Sequence, residues 1–290
     1  MLDRRMLIAG GSGVLALGLW RARGLAAEAL RGDPAADFAL QGQLTQGGWA
    51  RGLAPPGTRA LAFNRRPVML GPDRSFFVAF DRDAGPRAEL AASLSDGTTS
   101  QGDFAISPRA WEIERIPLGP RPGGPANPAY ARLREGELAQ INGARSVDHA
   151  ASGWRQNFIW PVFGRVSGRF GSQRIYNGTP GSYHSGLDIA TGASGTPFVA
   201  PADGVVTLAA QSPFSLEGRL LMIDHGMGLS SAFLHCSSHA VKVGDVVRQG
   251  QFIARIGMTG RATGPHLHWS IKWRESRLDP LLFVGAMRKQ

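Results

Sequence analysis

The chain has 290 residues, 43% of them hydrophobic and 19% charged, with 39 glycines and 19 prolines. That length allows about two domains, each with apolar surface for a core, and the composition excludes the disordered, collagen-like and low-complexity classes. The only cysteine, Cys236, rules out an internal disulfide or a multi-cysteine zinc site, and the net charge of +10 is spread over scattered arginines with no basic run and no nucleic-acid motif.

Residues 1–29 read as an export signal. Arg4 and Arg5 precede an apolar stretch from Met6 to Trp20 that Gly10, Gly11 and Gly13 keep mildly hydrophobic, and small residues follow as far as Ala29. Paired arginines in this setting resemble a twin-arginine signal, which implies delivery to the periplasm or cell envelope. A run of ~15 apolar residues is short for a membrane span, and no later stretch reaches ~20, so no stable membrane insertion is expected once the signal is removed.

Residues 36–116 alternate in short runs broken by turns. Phe38 and Leu40, Leu61 and Phe63, Phe76, Val78 and Phe80, and Trp111 and Ile113 each place apolar side chains on one face of a strand, with Pro55-Pro56-Gly57, Gly71-Pro72 and Asp96-Gly97 between them. This predicts a small β-sandwich. It holds no histidine and no acidic metal loop, so it is expected to bind or position. Residues 117–155 follow as a linker, rich in Pro and Gly up to Pro128 and then carrying a short helix with Tyr130, Leu133, Leu138 and Ile141 on one face. His149, in the polar stretch beyond, is read as solvated. From residue 156 to 290 strand signals return at Val205-Val206, from Leu220 to Ile223, and at Val246-Val247, Phe252-Ile253 and Leu267-x-Trp269-x-Ile271, separated by glycines. The fold class is therefore mainly β, the second half an antiparallel sheet with a ligand-bearing face.

The chemistry gathers in three pieces of this second half: His184-Ser-Gly-Leu-Asp188, His235, and His266-Leu-His268. Two residues apart in a strand, His266 and His268 share a face. A straight strand would hold the Cα atoms of His184 and Asp188 ~13 Å apart, whereas zinc donors each lie at about 2 Å from the ion, so the chain must bend between them. Gly186 permits such a bend through backbone angles closed to other residues. A hydrolytic zinc takes three ligands and keeps a position for water. His184, Asp188 and one histidine of the doublet supply that set, leaving His235 and the other doublet histidine for proton transfer.

The ordered set Phe158-Ile-Trp-Pro-Val162, Gly164-Arg-Val-Ser167, Phe170-Gly171, Asn177-Gly178, His184-x-x-x-Asp188, Pro201-x-x-Gly204, Asp224-His225-Gly226, Phe233-Leu-His235, Gly244-Asp245, Gly250-Gln251 and Gly260-x-x-x-Gly264-Pro-His266-Leu-His268 resembles the lysostaphin-type (LytM-domain) zinc endopeptidases of the bacterial cell wall. The resemblance covers about residues 156 to 285. It implies that His184, Asp188 and His268 hold zinc, and that His235 and His266 are catalytic. The first half is similar, less distinctively, to β-rich modules ahead of this domain in exported wall peptidases.

Two positions depart from the family pattern. Cys236 replaces an aliphatic residue, and Trp269 stands where Phe or Tyr is commoner. Cys236 is read as a small buried side chain, His225 as holding its turn, and His239 as having no third metal partner. The expected function is hydrolysis of peptidoglycan peptide cross-links, a D-alanyl–diaminopimelate bond in preference to a glycine bridge. The alternative is a catalytically silent LytM module that binds wall peptide or regulates another hydrolase.

Overall fold

The computed structural model of the protein describes residues 37–117 and 128–287, so the export segment and most of the proline-rich stretch lie outside the described residues. Eight strands form in the first half. They are β1 (Gln41–Gly42), β2 (Trp49–Leu53), β3 (Thr58–Phe63), β4 (Arg66–Val68), β5 (Ser75–Ala79), β6 (Arg87–Leu94), β7 (Thr99–Ala105) and β8 (Ile113–Ile116). β1, β2 and β5 make one antiparallel sheet, and β4, β3, β6 and β7 another. Phe63, Phe80 and Phe104 meet with ring centroids 5.9–6.4 Å apart. In β6 the expected alternation holds, with Ala88, Leu90 and Ala92 buried between more exposed neighbours. β5 departs from it and is buried throughout. Phe76 meets Phe38 at 6.4 Å, while Phe77 meets Trp273 of the second half at 6.3 Å, so both faces are covered. Phe38 and Leu40, expected in a strand, lie just ahead of β1.

The helix Pro128–Arg145 spans 18 residues and is turned differently from the expected face. Tyr130, Leu133 and Leu138 are exposed, whereas Ile141, Ala144 and Glu137 are buried. Burying Glu137 is tolerable because its carboxylate is saturated: it accepts from the Ser215 backbone N–H and hydroxyl and from Arg134. No helix among the described residues is long and apolar enough to cross a membrane.

Thirteen further strands follow. These are β9 (Arg165–Gly168), β10 (Gln173–Tyr176), β11 (Thr179–Pro180), β12 (Leu187–Ala190), β13 (Pro197–Val199), β14 (Gly204–Ala209) and β15 (Arg219–Asp224). Then come β16 (Leu229–Cys236), β17 (Ser238–His239), β18 (Val246–Val247), β19 (Phe252–Arg255), β20 (Leu267–Trp273) and β21 (Ser276–Leu278). The main antiparallel sheet runs β18-β14-β15-β16-β20-β12-β9, with β21 paired to β20. β20 sorts its residues by parity: Leu267, Trp269, Ile271 and Trp273 enter the core, while His268, Ser270 and Lys272 take the opposite face.

The two halves share both core and backbone pairing. Trp273 packs 6.0 Å from Phe63, Phe283 packs 5.2 Å from Trp49, and the buried Asp279 accepts from Arg109 at 2.7 Å. β8 of the first half runs parallel to β10 of the second, whereas the other pairings between the strands named above are antiparallel. All described residues belong to one compact unit.

His225 does hold its turn. Fully buried, it donates Nδ1–H to the Asp203 carbonyl at 2.7 Å, and its Nε2 accepts from Ser231 Oγ at 2.8 Å, which in turn accepts from Trp269 Nε1 at 3.2 Å. His149 is not free in solvent: half-buried, it binds Asp224 Oδ2 through both its backbone N–H and Nδ1, at 2.6 and 3.0 Å. Burial pushes the His225 pKa down to about 4. The unfolded chain, near 6.5, therefore binds the extra proton between those values, so this contribution is complete above about pH 6.5 and lost as pH falls toward 4. Its full loss amounts to roughly 3 kcal/mol. Denaturant unfolding at pH 7 and pH 4.5 should show a shallower acid loss for His225→Gln than for the wild type, and equal losses would refute the assignment.

Candidate metal centre

Three neighbouring strands, β12, β20 and β16, build the site. Asp188 lies directly across from His268 on β12 and β20, and Leu234 of β16 faces His268 from the other side. The order brings together residues far apart in the chain because cross-strand partners sit about 5 Å apart whatever their sequence separation. His184 precedes β12, and the chain bends through Gly186 before the strand begins. Gly186 is needed for a different reason from the one expected. It has no left-handed φ, but a Cβ there would come within 2.6 Å of both His268 Nε2 and the Trp269 carbonyl. The glycine makes room for the ring rather than for the turn.

The donor atoms converge. His184 Nε2 lies 3.1 Å from Asp188 Oδ1 and 3.1 Å from His268 Nδ1, and His268 Nδ1 lies 2.8 Å from the same carboxylate oxygen. Among the described residues these three form the group able to hold a metal ion. Tetrahedral ligands at about 2.0 Å from zinc stand ~3.3 Å from one another, close to this spacing, and two imidazoles with one carboxylate are a common hydrolytic donor set. The residues therefore fit a metal.

Backbone carbonyls fix which nitrogens are bare. A carbonyl oxygen can only accept, so the ring nitrogen facing it must carry the proton. His184 Nδ1 faces the Arg169 carbonyl at 3.0 Å, His235 Nδ1 that of Thr259 at 2.8 Å, and His266 Nδ1 that of Gly264 at 2.8 Å. In each neutral ring the Nε2 lone pair is left free. His235 and His266 stand with ring centroids 4.9 Å apart, and His266 Nε2 lies 3.8 Å from Asp188 Oδ1.

A β-bulge aims His235. The pairs Leu221↔Phe233 and Arg219↔Cys236 leave Leu234 and His235 both opposite Leu220, and His235 takes a left-handed φ of 63°. Such a conformation is uncommon outside glycine and costs of order 1 kcal/mol or more.

The electrostatics separate Asp188, His184, His268 and His235. Burial would raise the Asp188 pKa, but hydrogen bonds from His184 and His268 outweigh it and hold the carboxylate well below its usual range. Burial likewise pulls His184 down, yet the bond to Asp188 prevails and leaves it raised. His268, more deeply buried, ends lowered despite the same partner. His235 is lowered by burial against the pull of the Thr259 carbonyl, which keeps it neutral and basic near pH 7. Cys236 is fully buried with its thiol pushed up to about 12, so it is inert packing. His225 and His239 are not members of the donor group.

Sequence reasoning passed over the group that supports His184. Segment 169–172 holds that residue by three bonds: Gly171 N–H to the His184 carbonyl, His184 N–H to the Ser172 carbonyl, and the Nδ1 contact with Arg169. Arg82 of the first half, only 6% exposed, braces the segment by donating Nε and Nη2 to the Gly171 carbonyl at 3.1 and 3.0 Å. Its guanidinium sits between the rings of Trp111 and Tyr183, at 5.1 and 4.6 Å, while Arg109 and Arg277 cap that stack at 4.6 and 5.5 Å. A lone arginine in a strand-rich segment carries no local signal of such a role.

Residues 182–280 match peptidase family M23. Peptidoglycan DD-endopeptidase ShyB of Vibrio cholerae is 38% identical over 98 residues, 34% of this chain and 22% of that protein. The DD-carboxypeptidase/endopeptidase Mpg of Neisseria meningitidis is 34% identical over 120 residues, 41% of this chain and 27% of that one. The chain thus spans about a quarter of the length of these curated relatives. A solved Pseudomonas aeruginosa structure assigned to peptidase M23 is similar over 85% of this chain and 96% of its own, with a TM-score of 0.64 and 26% identity. That likeness reaches well beyond residues 182–280. With all five clustered His and Asp residues inside the matched stretch, residues 182–280 are a peptidase family M23 domain of the LytM type.

Proposed function

We propose that the protein is a zinc-dependent endopeptidase that hydrolyses peptide cross-links of peptidoglycan in the periplasm or cell envelope, reached by way of the twin-arginine-like leader. The observation that carries this reading is the convergence of His184, Asp188 and His268 within 3.1 Å beside two more histidines whose bare Nε2 atoms are fixed by carbonyls. The naming of similar proteins as peptidoglycan DD-endopeptidases supports the substrate class. A silent binding module would need neither histidine, so the complete set favours turnover. In this reading residues 36–116 act as a positioning module for the peptidase part at 156–290.

When bound, zinc would supply a Lewis acid for the scissile carbonyl and acidify a water. His235, held neutral by burial, accepts the water proton at Nε2 and returns it to the leaving amine. His266, anchored at Nδ1 by Gly264, presents Nε2 toward the carbonyl oxygen, where its protonated form would stabilise growing negative charge. Purified protein should convert cross-linked muropeptide dimers to monomers, a chelator should stop it, and added zinc should restore it. Intact dimers beside rapid cleavage of pentaglycine would overturn the substrate, and no cleavage of either would favour the silent module.

A further inference from the structure

The helix Pro128–Arg145 lies over the site-bearing face of the main sheet, leaving a groove of about 200 Å³ whose lining includes His268 and Ser185. Leu220, Ala232, Leu234 and Ser270 of the sheet also line it. Four cations line its walls, Arg134 and Arg145 from the helix and Lys272 and Arg277 from the β20–β21 hairpin, against a single lining carboxylate, Glu217.

Two of those cations are already neutralised. Arg134 binds Glu217 with two short bonds of 2.6 Å and also reaches Glu137, and Lys272 Nζ binds Glu275 at 2.9 Å. Among the described residues Arg145 and Arg277 make no direct side-chain ion pair with a carboxylate, Arg277 meeting the Tyr183 side chain instead. Arg277 stands directly across from Lys272 in the hairpin, and like charges in that position destabilise a sheet. It also lies 5.5 Å from the ring of Tyr183, the residue before His184, which sets it beside the metal-binding segment. Arg145 is held below the ordinary guanidinium value by burial first and then by the charge of Arg277, with Glu275 and Glu217 pulling the other way. Two guanidinium groups that line one groove without a direct ion pair, offset only at longer range by Glu275 and Glu217, are a site for an anion, and their planar forks match a carboxylate.

We propose that Arg145 and Arg277 bind a free carboxylate of the peptide substrate next to the scissile amide, so that the enzyme selects anionic cross-links over uncharged ones. The proposal rests on the peptidase reading above. It also decides between the two linkages weighed from the sequence. When the acylated amine belongs to diaminopimelate, the carbon bearing the scissile nitrogen keeps its own carboxylate, whereas the interior of a glycine bridge has none. The open arginines answer the first chemistry and find no partner in the second.

The test uses the metal-loaded full chain, wild type and the double variant Arg145→Ala with Arg277→Ala. Two cross-linked dimers are compared, one with the free carboxylate and one with that group converted to the carboxamide. The wild type should favour the free acid by about 10–100-fold in kcat/KM, carried mainly by KM, the range expected for a charge-assisted contact. The double variant should lose the discrimination. Equal cleavage of both dimers by the wild type, or discrimination retained in the variant, overturns the proposal. If the wild type cleaves neither dimer, the peptidase reading falls, and calorimetric binding of the same two peptides decides the groove separately: tighter binding of the free acid by the wild type alone supports it, and equal binding rejects it. Thermal unfolding of the variant checks that its fold is intact.

Discussion

Replacing His184, Asp188 or His268 by alanine should leave the protein without bound zinc and without cleavage of muropeptide dimers. Each supplies one of three donor atoms, and those atoms stand only 2.8–3.1 Å apart around one point. Changes to outer partners of metal ligands typically cost 10–100-fold in affinity, so loss of a ligand should exceed about 100-fold. Elemental analysis after dialysis, together with competition against a chelator of known affinity, measures this directly. Asp188→Asn is the informative companion, since it keeps the shape and removes the charge that both imidazoles face. Stoichiometric zinc in any of the three alanine proteins would remove that residue from the ligand set.

His235→Ala and His266→Ala should give the opposite signature, with zinc retained and turnover reduced by about 10²–10⁴-fold, the usual contribution of a positioned general acid or base. The loss should appear in kcat more than in KM, because these groups act as charge moves in the reaction rather than in holding the peptide. The double variant should be little worse than the more damaged single one. His235 has a special control. Its left-handed backbone accepts asparagine with little strain, so His235→Asn keeps the bulge while removing the base. If His235→Asn turned over like the wild type, the ring would not be the proton acceptor. If His235→Ala lost its zinc, the division of roles would collapse.

The candidate site was legible in the sequence because its residue types are rare in a β sheet and carry their spacing with them. Period two put His266 and His268 on one face, and the distance a straight strand imposes required the bend before Asp188. The carbonyls of Arg169, Thr259 and Gly264 could not be read, since every residue has a carbonyl and only the fold decides which one meets a ring. The helix at 128–145 was legible as a helix but not in its orientation. Tyr130, Leu133 and Leu138 offered an apolar face, yet the saturated hydrogen bonding of Glu137 allowed another face to turn inward. Gly186 was singled out correctly as a position that needs glycine, while the reason was a ring on the adjacent strand, in contact in space and 82 residues away in sequence. Arg145 and Arg277 escaped for a similar reason: each looked like one more scattered surface charge until the helix and the hairpin brought them to the same groove.

The brace formed by Arg82 couples two equilibria that would otherwise be independent. Its guanidinium belongs to the first half, and the carbonyl it grips belongs to the segment that orients His184. Any ion that tightens His184 in place must also raise the work needed to pull the halves apart, and anything that loosens the halves must weaken the hold on the ion by the same factor. The M23 stretch at 182–280 therefore does not own its affinity outright. Part of that affinity is written a hundred residues upstream, in an arginine clasped between Trp111 and Tyr183, and a fragment cut at the edge of the family match would leave it behind.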